Sequence, residues 1–145
     1  FEDTIQQLVA LAVLMPVVAG MGGIAGSQTL TIAIRGIALG QIAKTNIKPL
    51  LIKELSIGIL KGIFWSSIVA MVVILWFGQL SLGVIIGASM IINLVIAALA
   101  GATIPIILKR YGIDPAIAGG VILTTVTDVV GFVTFLGLAT IFLLR

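Results

Sequence analysis

The 47 residues from Gly62 to Leu108 carry no charged side chain. As a single helix they would be roughly 70 Å long, more than twice the ~30 Å hydrocarbon thickness of a bilayer. One membrane crossing cannot contain such a run, so the chain has to reverse inside it. Phe77-Gly78-Gln79-Leu80-Ser81 is the natural turn, with Trp76 beside it as an interfacial aromatic. Thr4 to Ile34 is also uncharged, and Pro115 to Leu144 holds one charge, Asp128.

The composition agrees. The chain is 61% hydrophobic and 9% charged, with a mean hydropathy of +1.36. A soluble domain has roughly 25% charged residues. In lipid every backbone polar group must be satisfied internally, which leaves helices for a chain of this pattern. The expected fold is all-α, a polytopic membrane helix bundle with four spans near 5–30, 54–77, 82–108 and 115–143. Asp114 caps the last span and Pro115 suits its first turn. The segment 35–46 is less apolar and reads as an edge helix plus loop. Pro105 is expected to bend the third span.

The charges orient the bundle. Lys44, Lys48, Lys53 and Lys61 surround the first connection, and Lys109 and Arg110 mark the third. The second connection is uncharged, and Glu2 and Asp3 stand at the N-terminus. The positive-inside rule assigns 35–53 and 109–114 to the cytoplasm and both chain ends to the outside of the cell membrane. Arg145 and Arg35 are then snorkelling charges at an interface. Phe1 in place of Met, with no basic n-region, reads as a piece of a longer protein rather than a signal peptide. An outside N-terminus implies at least one further span upstream. The net charge of +3 follows from this topology and does not call for a nucleic acid partner.

The chain has no Cys and no His. That removes disulfides, thiolate and imidazole metal sites, and histidine-based catalysis. A bound metal would need oxygen ligands, which means a hard cation. Asp128 is the acidic residue that stands out, because a carboxylate near the middle of a span costs about 2.5–3.5 kcal/mol on insertion scales. Gly120, Thr124, Asp128 and Gly131 follow helical spacing and form one small or oxygen-bearing stripe. In the first span, Gly20, Gly22, Gly23 and Gly26 follow Pro16 and make poor helix. Unwound backbone there would offer carbonyl ligands, while the alternative is close packing through Gly22-xxx-Gly26. Gly36-xxx-Gly40, Gly58-xxx-Gly62 and Gly83-xxx-Gly87 read as packing. Asn93 reads as an interhelical hydrogen bond. One carboxylate binds a divalent cation poorly, but two copies around a two-fold axis supply two charges. An aspartyl-protease active site needs two carboxylates in one place, so an enzyme is not expected. A carrier coupled to protons or Na⁺ stays open beside a channel.

The block PVVAGMGGIAGSQTLTIAIRGIALGQI (16–42), followed by KRYGIDPAIAGGVILTTVTDVVG (109–131), resembles the transmembrane domain of the MgtE family of magnesium channels. The resemblance covers essentially the whole chain. It implies spans two to five of a five-span domain that forms a homodimer in the membrane, with the first span and the cytoplasmic magnesium-sensing domains outside this sequence. It implies that the first and last spans here line an ion path. Asp128 matches the family's pore carboxylate and Thr124 a backbone carbonyl one turn earlier. Gly20, Gly23 and Ser27 match pore-facing positions, with Gly23 expected to hold the metal beside Asp128 and Thr124, and Gly120 and Gly131 are expected to line the path. Mg²⁺ is the implied ion, with Mn²⁺ or Ca²⁺ at the same site left open. Ile24 stands where many members have Asn, and Gly120 where the family has a polar residue.

Overall fold

The computed structural model describes residues 2–42 and 46–143, with side chains from Gln6 onward. Lys44, Arg145 and the side chains of Glu2 and Asp3, all used above to orient the chain, lie outside the described residues. Four helices follow in order: α1 (Glu2–Ala38), α2 (Ile47–Phe77), α3 (Leu80–Arg110) and α4 (Pro115–Phe142). All four contain stretches long and apolar enough to cross a membrane.

The stops are local chemistry. Gly40 and Gly112 adopt left-handed φ of 72° and 74° after α1 and α3. Each closes a Schellman pattern, with Gln41 N–H donating to Gly36 O at 2.8 Å and Ile113 N–H to Leu108 O at 2.9 Å. Gly78 does the same work for α2 at φ 68°. Only Gly78 and Gln79 separate α2 from α3, as the turn sequence predicts. Asp114 caps α4 by accepting from Ala116 N–H at 3.0 Å, and Pro115 opens the helix.

Two expectations about α1 and α2 need correcting. The glycine block does not break α1, which runs unbroken for 37 residues through Pro16 and all four block glycines. Its carbonyls are therefore engaged along the helix rather than freed. The helices also extend beyond the expected spans: α1 runs on through Gly36 towards the Gly40 cap, and Pro49 falls in the first turn of α2, where a missing N–H costs no helical bond. Arg35 thus lies in the last turn of α1, and Lys48, Lys53 and Glu54 belong to α2. Pro105 lies buried inside α3 without ending it.

α3 is the central helix. It packs on each of the other three, and α1 also packs on α4. Leu82, Ile85, Ile86, Met90 and Leu94 of α3 meet Leu11, Leu14 and Val18 of α1, Val73 of α2 and Phe135 of α4. Lipid tails are as apolar as these side chains, so close contact rather than water exclusion holds helices together. Gly58 and Gly62 let α2 approach Ala98 and Ile91 on α3, and Gly83 fits under Ile74. Gly36 and Gly40 depart from this pattern: Gly36 faces Ile42 of its own turn, and Gly40 is the cap. Leu60, Leu75, Trp76, Ile117 and Phe142 point outward.

Gly101 brings α3 close to the backbone of α1. A Cβ there would stand 2.7 Å from the Gly26 carbonyl oxygen and 2.9 Å from Thr29 Cβ. Both neighbours are held by the helix, so Gly101→Ala should cost about 1–3 kcal/mol through overpacking. Gly137, with open space around it, is the control. Gly137→Ala should be neutral or stabilising by up to ~1 kcal/mol. Thermal denaturation of both variants in detergent micelles checks the pair; equal melting temperatures would refute the assigned contact.

Candidate functional site

α1 and α4 lie side by side and leave an open cleft of about 500 Å³ between them. From α4 come Thr124 and Asp128, one turn apart. From α1 come Gly20, Gly23 and Ser27, together with Ala19, Ile24, Gln28 and Thr31. The two segments singled out in the sequence, about a hundred residues apart, therefore share one wall-to-wall feature. Gln28 and Thr31 were not singled out, although they follow Ile24 and Ser27 respectively at the four-residue spacing of one helical face.

The cleft hydroxyls of α1 are already committed as donors. Ser27 Oγ donates to Gly23 O at 2.7 Å, and Thr31 Oγ1 donates to Ser27 O at 2.9 Å. On α4, Thr127 Oγ1 donates to Thr124 O at 3.1 Å. A hydroxyl whose proton is used this way still presents lone pairs, whereas each of these carbonyls accepts both a helix N–H and a hydroxyl. The cleft side chains Ser27, Thr31 and Asp128 thus act as acceptors. Such a surface suits the outward-pointing hydrogens of water bound to a cation. Ile24, 62% exposed, is the apolar exception on this wall. Among the described residues, no three His, Cys, Asp or Glu side chains gather into a metal-holding group. Asp128 is the one carboxylate of the cleft.

The other stripe residues divide. Gly120 is exposed, with open space at its Cβ position, and falls outside the cleft. Gly131, expected on the ion path, is instead buried in packing. Its Cβ position lies 3.0 Å from Asn93 Nδ2 and 3.3 Å from Ala19 Cα. The reason is geometric: α4 leans on α1 and α3 beyond Asp128, so the same helical face turns from cleft to contact.

Asn93 of α3 is fully buried at this junction and donates through Nδ2 to Val18 O of α1 at 2.9 Å. The interhelical role expected for it is the one found. Gly22 directly faces the amide, and any Cβ there would collide with it. One side of the glycine block thus admits Asn93 and lets Gly26 meet Leu123, while the other side lines the cleft.

One acidic residue was missed. Glu54 looks like the polar edge of a span in the sequence, next to Lys53. It is buried, 6% exposed, and takes a 3.5 Å hydrogen bond from Thr29 Oγ1. Its signal was register: Glu54, Gly58, Gly62 and Ser66 recur every four residues and form the buried face of α2.

The sequence model of the MgtE family, described as divalent cation transporter, matches residues 15–138. Proteins described as magnesium transporter MgtE are similar over 143 residues, or 99% of this chain: one from Bacillus subtilis at 39% identity and one from Thermus thermophilus at 32%. A third, from Enterococcus faecalis, is 31% identical over the same length. The chain spans 32% of the length of each of these curated relatives.

The Asn93 junction sets how α1 and α4 face each other. Asn93→Ala removes the hydrogen bond to Val18 and leaves a void between Gly22 and Gly131. A loss of about 1–3 kcal/mol is expected. Chemical or thermal unfolding in micelles reads it; an unchanged stability would show that the amide is not holding the junction.

Proposed function

The chain belongs to the MgtE family of divalent cation transporters, and from that premise we propose that it forms the membrane pore domain of a magnesium channel. It is a multi-pass membrane protein by its four apolar helices and its family. In this reading residues 1–145 are the pore domain. Residues 35–53 and 109–114 are cytoplasmic, both chain ends are outside, and the cytoplasmic sensor domains of the full-length protein regulate the domain.

The observation that carries the reading is the single cleft holding Asp128 and Thr124 opposite Gly20, Gly23 and Ser27. Its polar wall is open on a chain with many large apolar side chains turned outward. Gly20, Ser27, Thr31, Gly120 and Thr124 are all exposed. Hydroxyls and helix carbonyls left facing lipid are unfavourable. Pairing with a second copy around a two-fold axis covers them and encloses a path. The pairing brings a second Asp128, so two carboxylates match one M²⁺.

Mg²⁺ dehydrates reluctantly and keeps several waters at such sites. Six waters at ~30 Å³ each occupy roughly 180 Å³, well within the cleft's approximately 500 Å³. The ion therefore passes with its inner water shell largely kept. Asp128 attracts it by charge, and the hydroxyls of Ser27, Thr31 and Thr124 accept hydrogen bonds from its waters. Gly20 and Gly23 keep side chains out of the path. Gly120 widens it one turn beyond Thr124, whereas Gly131 serves packing. The homologues are named as transporters, and with one carboxylate per cleft the site fits ion passage rather than an enzyme's chemistry.

Asp128→Asn keeps the shape and removes the charge in both copies. In proteoliposomes carrying the full-length protein, Mg²⁺ flux should fall at least tenfold, with discrimination against monovalent ions lost. Unchanged affinity and selectivity would remove Asp128 from the path. A second measurement separates channel from carrier. An imposed pH or Na⁺ gradient should leave Mg²⁺ flux undriven; flux that follows either gradient makes the protein a coupled carrier.

A further inference from the structure

We propose that a second site for a hydrated divalent cation lies beside the Asp128 cleft, built around Glu54 in the groove between α1 and α2. Its use as a staging point for the ion rests on the channel reading above, whereas its capacity to bind does not.

α1 and α2 both lean on α3, and polar side chains bridge the space between them. Thr29 reaches Glu54 at 3.5 Å, and Lys61 Nζ donates to Gln28 Oε1 at 3.4 Å. The groove opens into a cleft of about 510 Å³ lined by the apolar Ile32 and Ile57 and by six polar residues, Gln28, Thr29, Thr31, Lys53, Glu54 and Lys61. Four of these six offer hard oxygen donors: a carboxylate, a carboxamide and two hydroxyls. That is the ligand chemistry of Mg²⁺, Mn²⁺ and Ca²⁺, and the space again accommodates an ion with its water shell.

Glu54 is the unusual member. It is 6% exposed, yet among the described residues its hydrogen-bond partner is Thr29 alone. The Thr29 hydroxyl is also 3.4 Å from Ala25 O, so its one proton is divided between two long contacts. No ammonium of a described residue stands within ion-pair distance of Glu54, although Lys53 and Lys61 line the same cleft. A buried carboxylate so poorly partnered is unfavourable on its own. A cation in the cleft supplies what the protein does not.

Lys61 defines the affinity. Its ammonium sits on the Gln28 oxygen and repels a second cation, which keeps the site weak and exchangeable. Gln28 and Thr31 also line the Asp128 cleft. They form the rim common to both spaces.

Mn²⁺ is the probe, counted by the loss of its free EPR signal on the purified full-length protein. Working in an Asp128→Asn background removes the pore site from the count. Glu54→Gln added to that background should lose one Mn²⁺ per chain, of roughly millimolar affinity and displaced by Mg²⁺. Glu54→Asp should keep the ion, with weakened affinity. Lys61→Gln should tighten it roughly three- to tenfold by removing the repulsion. With Asp128 intact, Glu54→Gln should raise the half-saturating Mg²⁺ concentration for flux severalfold and leave the ion ranking unchanged. The same Mn²⁺ count with and without Glu54→Gln overturns the site, as does a loosening by Lys61→Gln. If Glu54→Gln fails to fold, an unaltered Mn²⁺ affinity in Glu54→Asp overturns it equally. Flux through Asp128→Asn judges the channel reading separately, so the two can fail independently.

Discussion

The buried amide of Asn93 holds the bundle's geometry. It donates to the Val18 carbonyl of α1 and lies between Gly22 of α1 and Gly131 of α4. In a bilayer, apolar helices gain little by merely leaving lipid, so close backbone approach and interhelical hydrogen bonds decide how they meet. Asn93 provides the bond, and the two glycines provide the approach. Its Oδ1 is buried without a partner, so the amide is retained despite an unmatched acceptor. The orientation of α1 against α4, and hence the cleft at Asp128, follows from this junction.

α1 divides its glycines between two tasks. Gly22 and Gly26 face inward, against Asn93 and Leu123, while Gly20 and Gly23 face the cleft. The helix can stay continuous because the glycines are used for lack of bulk, not for unusual backbone angles. Positive φ occurs among the described residues only at Gly40, Gly78 and Gly112, all at helix ends. Unbroken backbone also means that, on the proposed reading, ion contact on α1 falls to hydroxyls and the Gln28 amide. This suits a cation that keeps its water, because water needs acceptors and a bare ion needs ligands.

Much of the architecture was legible from the residues. A run too long for one crossing forced the Gly78-Gln79 turn, and Asp114-Pro115 marked the start of α4. Asn93 was legible as an interhelical donor because a polar amide mid-span has few other uses. Helix ends were less legible, since hydropathy marks where lipid ends and not where the helix does. Thus α1 ran on to Ala38 and α2 began at Ile47. The glycine block misled because helix propensity measured in water counts exposed backbone, whereas here neighbouring helices cover it.

The sequence by itself determined the helical class, the four crossings, the capping chemistry and the isolation of Asp128 in an apolar span. These depend on local bonding and on transfer between water and lipid, which each segment carries alone. Tertiary structure decided which members of a stripe face space and which face a neighbour. Gly131 went into packing, Thr124 and Asp128 stayed on the cleft, and Glu54 moved from an apparent span edge to a buried groove. Those outcomes depend on the angle and register at which helices meet, quantities set jointly by several segments at contacts such as Asn93 with Gly22.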